Sequence, residues 1–283
     1  MAKVLACIDG SIYSHSICDL SAWAASRLNQ PVELLHVLGR REVSTIPVDI
    51  SGTLVAYSQD ILAELAAMDE QRAGLSQKRG RLILDEGRTR LKEAGAVDVD
   101  THLYNGDLVE TVGEFEPDAS VIVIGKRGEA ADFAKLHLGS NLERVARAAK
   151  KPVLVAARAF KPIRRFLIAF DGGPSVTKAV DLIANGQLLR GLEGHLLMAG
   201  SPDEEAEAKL DAAEARLRDA GWDIRARILP GEPEAVIAAQ VAEASIDLLV
   251  MGAYGHSRIR NLIIGSTTTA TVRSCLIPVL MMR

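Results

Sequence analysis

Cysteine pairs, excess positive charge and long apolar runs are all missing from this chain, and each absence excludes a class of protein. Its 283 residues include three cysteines, Cys7, Cys18 and Cys275, and no CxxC pair. A disulfide framework and a cysteine zinc site are therefore excluded, and we expect free, buried thiols. No segment reaches the roughly 20 consecutive apolar residues that a membrane span needs. The opening MAKVLACIDG lacks the layout of a signal peptide, so we expect a cytoplasmic protein with no membrane partner.

The charge balance bears on nucleic acids. Lysine and arginine number 33 against 37 aspartates and glutamates, which gives a net charge of -4. A general nucleic-acid binder normally carries a basic surface, so we expect no nucleic-acid partner. Apolar residues make up 48% of the chain and charged residues 25%, the composition of a soluble globular protein. The length suits two domains of ordinary size.

What the chain does carry is a glycine motif between two apolar runs near the C-terminus. The run LLVM at 248–251 leads into Gly252, and a second apolar run begins at Pro278. Short continuous apolar runs indicate strands buried on both faces of a parallel sheet, so this stretch predicts a βαβ unit. A helix starting after Gly265 would point free N–H groups and hydroxyls at a phosphate, although ordinary turns and caps are the alternative. The candidate residues are Gly252, Gly255, Gly265, Ser266, Thr267 and Thr268.

The same pattern occurs earlier in the chain. The run VIVI at 121–124 precedes GKRG at 125–128, and Gly-Ser at 139–140 follows. The openings also match, with VLACIDGS at 4–11 against FLIAFDGG at 166–173. A repeat this long is a pair of whole domains. We predict an N-terminal domain over residues 1–158 and a C-terminal domain over 163–283, related by a pseudo-twofold axis.

These residues resemble the universal stress protein family in its tandem form, over nearly the whole chain. The shared features are the strand-Asp-Gly opening of both halves and the family's nucleotide motif, G-two-G-nine-G-Ser/Thr. The C-terminal half meets this motif without a gap. The resemblance implies an α/β fold of two open parallel-sheet domains, Rossmann-like and similar to the adenine nucleotide alpha hydrolases, that pair through the last strand. It also implies ATP or a related adenine nucleotide at the strand ends.

The resemblance extends the candidate site of the C-terminal half. Asp171 ends the first strand of that half, and it is expected to contact a ribose or base, or to hold magnesium through water. A turn residue in Asp-Gly is the other interpretation. Ala199 lies at the end of the next strand, where the family places its adenine contacts.

The N-terminal half departs from the motif. Ten residues, Glu129 to Leu138, separate the second glycine from the third. Lys126 and Arg127 could reach phosphates, whereas the alternative is an altered or empty site. The corresponding candidate residues are Asp9, Gly125, Gly128, Gly139 and Ser140.

The two halves differ most in an insertion near residues 40–95. Its pattern predicts one helix over Ser58–Arg72 and a charged helix over Ser76–Ala94. Charged helices of this kind are usually solvated faces, and the alternative is a lid or a partner-docking arm, because long insertions are often functional.

No catalytic residue is identified. The chain contains no Walker A loop, no GxSxG elbow and no paired-carboxylate signature. The first hypothesis is a regulatory protein that binds ATP, with or without magnesium, mainly in the C-terminal half, and thereby controls an unidentified protein partner. The rivals are a stress-response scaffold that binds no nucleotide and a weak magnesium-dependent ATPase. Metal ligands are unknown, and a homodimer is possible in addition to the pairing within the chain.

Overall fold

Strands and helices alternate along the chain. The structure, a computed structural model, describes residues 2–39, 59–128, 139–253 and 266–283. The strands are β1 (Lys3–Cys7), β2 (Val32–Gly39), β3 (Val99–Gly106), β4 (Ala119–Gly125), β5 (Val153–Ala156), β6 (Arg165–Ala169), β7 (Glu193–Ala199), β8 (Ile224–Leu229), β9 (Leu248–Gly252) and β10 (Val279–Met282). The helices are α1 (Ser14–Leu28), α2 (Gln59–Glu93), α3 (Leu108–Phe115), α4 (Ser140–Ala148), α5 (Pro174–Asn185), α6 (Glu204–Asp219), α7 (Pro233–Glu243) and α8 (Ser266–Ser274), and a 3₁₀ turn covers Glu116–Asp118.

All ten of these strands form one sheet. Their order is β3-β2-β1-β4-β5-β10-β9-β6-β7-β8. Strand pairs within each half are parallel, and β5 pairs with β10 in the antiparallel direction. The two halves therefore repeat the same strand order about a pseudo-twofold axis between β5 and β10. The expected α/β class, and the pairing of the halves through their last strands, are confirmed.

The antiparallel junction also orients the two halves. Because β5 and β10 run in opposite directions while each is parallel to its own half, the carboxyl ends of the two sets of strands lie on opposite edges of the sheet. Loops that follow the strands of one half therefore face away from those of the other. Any ligand at the strand ends of one half is separate from a ligand of the other.

Helices cover both faces of the sheet, and side chains of one strand alternate between two cores. On β6, Phe166 and Ile168 belong to one core and Leu167 to the other. All three are fully buried. The continuous apolar runs of the sequence therefore correspond to strands covered on both sides, as predicted. Within the described ranges, no helix is both long and apolar enough to cross a bilayer.

Helix α2 differs from the sequence-based expectation of two helices. It is one helix of 35 residues. Gly74, one of the three residues between the two predicted segments, has nothing within 4 Å of where a Cβ would lie, and an isolated glycine costs a helix only about 1 kcal/mol. Two further glycines bring α2 onto the sheet: a Cβ on Gly80 would lie 2.7 Å from Leu103, and one on Gly87 would lie 2.8 Å from Ile8.

The junction predicts that the two halves unfold together. Leu154 of β5 is fully buried and lies opposite Leu280 of β10. We expect Leu154→Ala to lower the free energy of unfolding by about 3 kcal/mol. Each half holds one tryptophan, Trp23 and Trp222, so the variants Trp23→Phe and Trp222→Phe report on one half each. The two tryptophan variants should have the same urea midpoint as each other, and Leu154→Ala should lower that midpoint by the same amount in both.

The matched control is Leu276→Ala, because that side chain is 90% exposed and its loss should leave the midpoint in place. Two separate midpoints for the two tryptophans, or a shift in only one of them, would contradict a single cooperative sheet.

Candidate functional site

The candidate residues of the C-terminal half follow three neighbouring strands. Strands β9, β6 and β7 are adjacent and parallel. Gly252 ends β9, Ala199 ends β7, and Asp171 comes two residues after β6. The structure therefore brings these three positions to the same edge of the sheet, where ligands of open α/β sheets bind. Helix α5 begins at Pro174 beside them, so its positive N-terminal end faces this edge.

Asp171 shapes a tight turn at this edge. Its Oδ1 accepts a hydrogen bond from the N–H of Gly173 over 2.8 Å. Gly172 between them has φ of 69°, a left-handed conformation that favours glycine. The N-terminal half repeats this geometry, since Asp9 Oδ1 accepts from the N–H of Ser11 over 3.1 Å and Gly10 has φ of 76°. The turn role that the sequence suggested for both aspartates is therefore present.

The side chain that covers this turn differs between the halves. A Cβ on Gly172 would lie 2.9 Å from Cδ of Lys209, whereas a Cβ on Gly10 would lie 2.8 Å from Cδ1 of Ile83. Lys209 belongs to α6, and its Nζ pairs with Glu205 over 2.5 Å. The methylene chain of a lysine therefore lies over the turn in the C-terminal half, where the N-terminal half has an isoleucine. Sequence analysis missed Lys209, and the difference becomes visible only when the helices after β2 and β7 are aligned.

Gly252 allows β9 and α5 to pack closely against each other. A Cβ there would lie 3.1 Å from Cβ of Ser175 and 3.3 Å from the backbone nitrogen of Val176, so the first turn of α5 needs this position to be glycine. The hydroxyl of Thr268 donates to the carbonyl of Gly252 over 3.3 Å, and Thr268 is buried. Gly125 has the same role in the other half, where a Cβ would lie 2.9 Å from Cβ of Tyr13.

The structure describes only part of the C-terminal motif. Gly255 and Gly265 lie outside the described residues. Ser266 is the first residue of α8 and Thr267 the second, which agrees with the predicted start of a helix at the Gly-Ser step.

The N-terminal motif encloses little space. A cavity of about 50 Å³ is lined by Asp9, Arg127, Gly128 and Asn141, among others. A Cβ on Gly128 would lie 2.9 Å from Oδ2 of Asp9. Drug-sized ligands occupy pockets of about 300–1,000 Å³, so this cavity is too small for a whole nucleotide.

The other N-terminal candidates lie in the same motif. The N–H of Gly139 donates to the carbonyl of Lys126 over 3.0 Å. A Cβ on Gly139 would lie 3.1 Å from Cα of Arg127, and Ser140 is the first residue of α4. The ten residues 129–138 lie outside the described part of the chain.

A second cavity lies next to the N-terminal motif, under α2. Its volume is about 220 Å³, and its lining includes Asp9, His36, Arg72, Ser76 and Arg79. Because Asp9 borders both cavities, α2 covers the strand ends of the N-terminal half. The insertion therefore changes the surroundings of this site, while the C-terminal half has the shorter connection through α6.

Lys126 does not point toward the motif, in contrast to the interpretation that it could reach a phosphate. Its side chain is 7% exposed and donates a hydrogen bond to the carbonyl of Cys275 in the other half. That carbonyl lies just beyond α8, where helix carbonyls lack partners and the dipole is negative. Burial lowers the pKa of Lys126, and the neighbouring charge of Arg127 lowers that pKa further. Arg283, which follows β10, donates to the carbonyl of Arg147 near the end of α4, so a basic side chain crosses the junction in each direction.

Two of the cysteines are buried and inert. Cys7 and Cys18 are free, and burial raises the pKa of each thiol to about 12, so neither is a thiolate nucleophile near neutral pH. Cys275 is free and half-buried. Among the side chains that the structure describes, no group of three His, Cys, Asp or Glu is placed to hold a metal ion.

Comparisons with known proteins identify the same family over both halves. The model of the universal stress protein family matches residues 1–157 and 190–283. A universal stress protein of Synechocystis sp. is 36% identical over 287 residues and covers 100% of both chains. One of Mycobacterium tuberculosis is 26% identical, over 98% of this chain and 95% of its own. A solved universal stress protein structure from Archaeoglobus fulgidus has a TM-score of 0.68 at 21% identity, over 99% and 96% of the two chains, and so shares the fold.

The position of Lys126 predicts a structural role for its side chain. We expect Lys126→Ala to lower the free energy of unfolding by about 1–3 kcal/mol, because the partly buried carbonyl of Cys275 loses its donor. Lys150→Ala is the matched control, since that side chain is exposed. The measurement is urea unfolding followed by circular dichroism, and equal midpoints for the two variants would contradict the assignment.

Proposed function

The chain belongs to the universal stress protein family, and we propose that it is a cytoplasmic stress-response protein that binds ATP or a related adenine nucleotide. We assign binding mainly to the C-terminal domain, residues 163–283, and propose that the N-terminal domain, residues 1–158, has an altered site. Bound nucleotide would act as a regulatory switch for an interaction that the chain makes with a protein partner.

The observation that carries this proposal is the difference between Lys209 and Ile83. Both side chains lie over the same left-handed glycine after the first strand of their half. The Lys209 ammonium pairs with Glu205, and in the proposal it exchanges this carboxylate for the phosphate of an anionic nucleotide. An isoleucine at the equivalent position offers a nucleotide phosphate no hydrogen bond and no charge. The N-terminal half also has cations, Arg72, Arg79 and Arg127, but they line cavities of only about 220 and 50 Å³ beside Asp9. The proposal therefore places the nucleotide in the half that carries the lysine.

The donors and acceptors of the C-terminal edge suit the parts of a nucleotide. The carboxylate of Asp171 accepts hydrogen bonds and is exposed, which suits a ribose or an adenine amino group. The N-terminal ends of α5 and α8 both face this edge and favour phosphate. In the proposal, Ala199 contacts the base. The phosphates lie at the motif residues Gly252, Gly255, Gly265, Ser266, Thr267 and Thr268.

The N-terminal half supports a weaker or different site. Its cavity at the motif is about 50 Å³, its lysine is committed to the carbonyl of Cys275, and α2 covers the neighbouring strand ends. We therefore propose that Asp9, Gly125, Gly128, Gly139 and Ser140 form a structural remnant of the duplicated site.

The two equivalent aspartates provide a matched test. We expect Asp171→Ala to weaken ATP binding at least about tenfold, or about 1.4 kcal/mol, because a charged acceptor is lost. Asp9→Ala removes the same kind of turn hydrogen bond in the other half and should leave ATP affinity unchanged. Lys209→Ile, which copies the N-terminal half, should also weaken binding. The measurement is the thermal shift produced by a series of ATP concentrations with magnesium.

The control for folding is the melting temperature without nucleotide, which should fall by similar amounts in the two aspartate variants. If Asp9→Ala lost ATP binding while Asp171→Ala retained it, the nucleotide would bind in the N-terminal half, and this result would contradict the proposal. Wild-type protein without any thermal shift would favour a scaffold that binds no nucleotide.

A further inference from the structure

Helix α2 carries a row of exposed apolar side chains between residues 65 and 82. Leu65 is 43% exposed, Met68 61%, Leu75 66% and Leu82 68%. From residue 64 to residue 79, only Asp69, Ala73 and Ser76 are even partly covered. One side of α2 is therefore uncovered over residues 65–82, whereas the side with Ser76, Gly80 and Gly87 faces the rest of the N-terminal half.

The apolar residues follow the spacing of a coiled-coil seam. Steps of three and four residues lead from Leu65 through Met68 and Arg72 to Leu75, and then through Arg79 to Leu82. Alternating steps of three and four residues place side chains along one stripe of a helix that packs against a second helix. Most helices gain their stability from packing of such a face. We call Leu65, Met68, Leu75 and Leu82 the seam of α2.

Charge on α2 is separated along its length. Residues 59–71 contain four acidic residues and no basic one, whereas residues 72–84 contain four basic residues and no acidic one. The helix dipole favours acidic residues only in the first turn and basic residues only in the last. Segregation across the middle of the helix is therefore larger than the dipole explains. Arg72 and Arg79 line the cavity that Asp9 borders, whereas Lys78 and Arg81 are exposed and suit a charged partner.

The charge pattern is complementary to itself when one copy is reversed. In an antiparallel pair, the acidic segment of each helix lies beside the basic segment of the other. In a parallel pair, like charges would lie side by side and repel. A second copy of the chain therefore matches both the apolar seam and the charges.

We propose that two copies of the chain associate through their α2 helices in an antiparallel arrangement. The seam residues pack between the helices, and Glu64 and Glu70 of each copy lie near the basic segment of the other. The surface belongs to the insertion of the N-terminal half and is separate from the β5–β10 junction, which lies within the chain. The function of the insertion is then to make the tandem protein a dimer.

The test is the mass of the full-length protein in solution by sedimentation equilibrium. We expect twice the chain mass of 30.3 kDa for the wild type. Leu75→Lys places a charge in the seam of both copies and should raise the dimer dissociation constant at least about tenfold. Leu276→Lys is the matched control, because it alters a leucine that is 90% exposed elsewhere and should leave the dimer intact.

A charge exchange tests the orientation of the pair. Glu64→Lys with Glu70→Lys removes the net negative charge of the acidic segment, and Lys78→Glu with Arg81→Glu removes the net positive charge of the basic segment. Each double variant alone should dissociate more readily than the wild type. An equimolar mixture should recover dimers, because the intact acidic segment of one variant meets the intact basic segment of the other.

Circular dichroism and the melting temperature establish that each variant is folded, which the high exposure of the substituted residues favours. A monomeric wild type would overturn the proposal and indicate that α2 is covered within its own chain. A dimer that persists in folded Leu75→Lys, or a mixture of the charge variants that stays monomeric, would overturn it as well.

Discussion

The pairing of β5 with β10 is the constraint on which the rest of the structure depends. Each of these strands would otherwise be an edge of its own five-stranded sheet, with a row of unpaired backbone groups. Val155 pairs with Val279, and Leu154 with Leu280, with all four side chains fully buried. Among the strands that the structure describes, β3 and β8 are the two edge strands of the combined sheet. The antiparallel direction of this pair places the strand ends of the two halves on opposite edges, so the duplicated sites can diverge independently.

That independence is visible in how the two halves use equivalent positions. Lys126 follows the end of β4 and supports the end of α8 across the junction, whereas Ala253 follows the end of β9 and donates its N–H to Met282. The residue over the Asp-Gly turn is Ile83 in one half and Lys209 in the other. The N-terminal half uses Lys126 for packing across the junction, and we propose that its α2 forms a surface for association. We assign the anionic ligand to the C-terminal half, which has Lys209 over this turn.

The sequence predicted the architecture well because the signals for it are local or repeated. Apolar runs such as VIVI and LLVM identify buried strands, and two copies of one pattern identify a duplicated fold. Contacts between distant elements carry no such signal. The position of Lys209 over Gly172 depends on how α6 crosses the sheet, and the contact of Lys126 with Cys275 joins residues 149 positions apart. The continuity of α2 was missed because Gly74 and Ser76 resemble a break, although the helix tolerates both.

We propose that one half of the duplicated chain binds nucleotide while the other does not. The most direct measurement is isothermal titration of the nucleotide-stripped protein with ATP and magnesium. One site per chain is the predicted result, consistent with a ligand in residues 163–283 alone. Two sites per chain would show that the N-terminal half also binds, and the absence of any binding heat or thermal shift would contradict the account altogether.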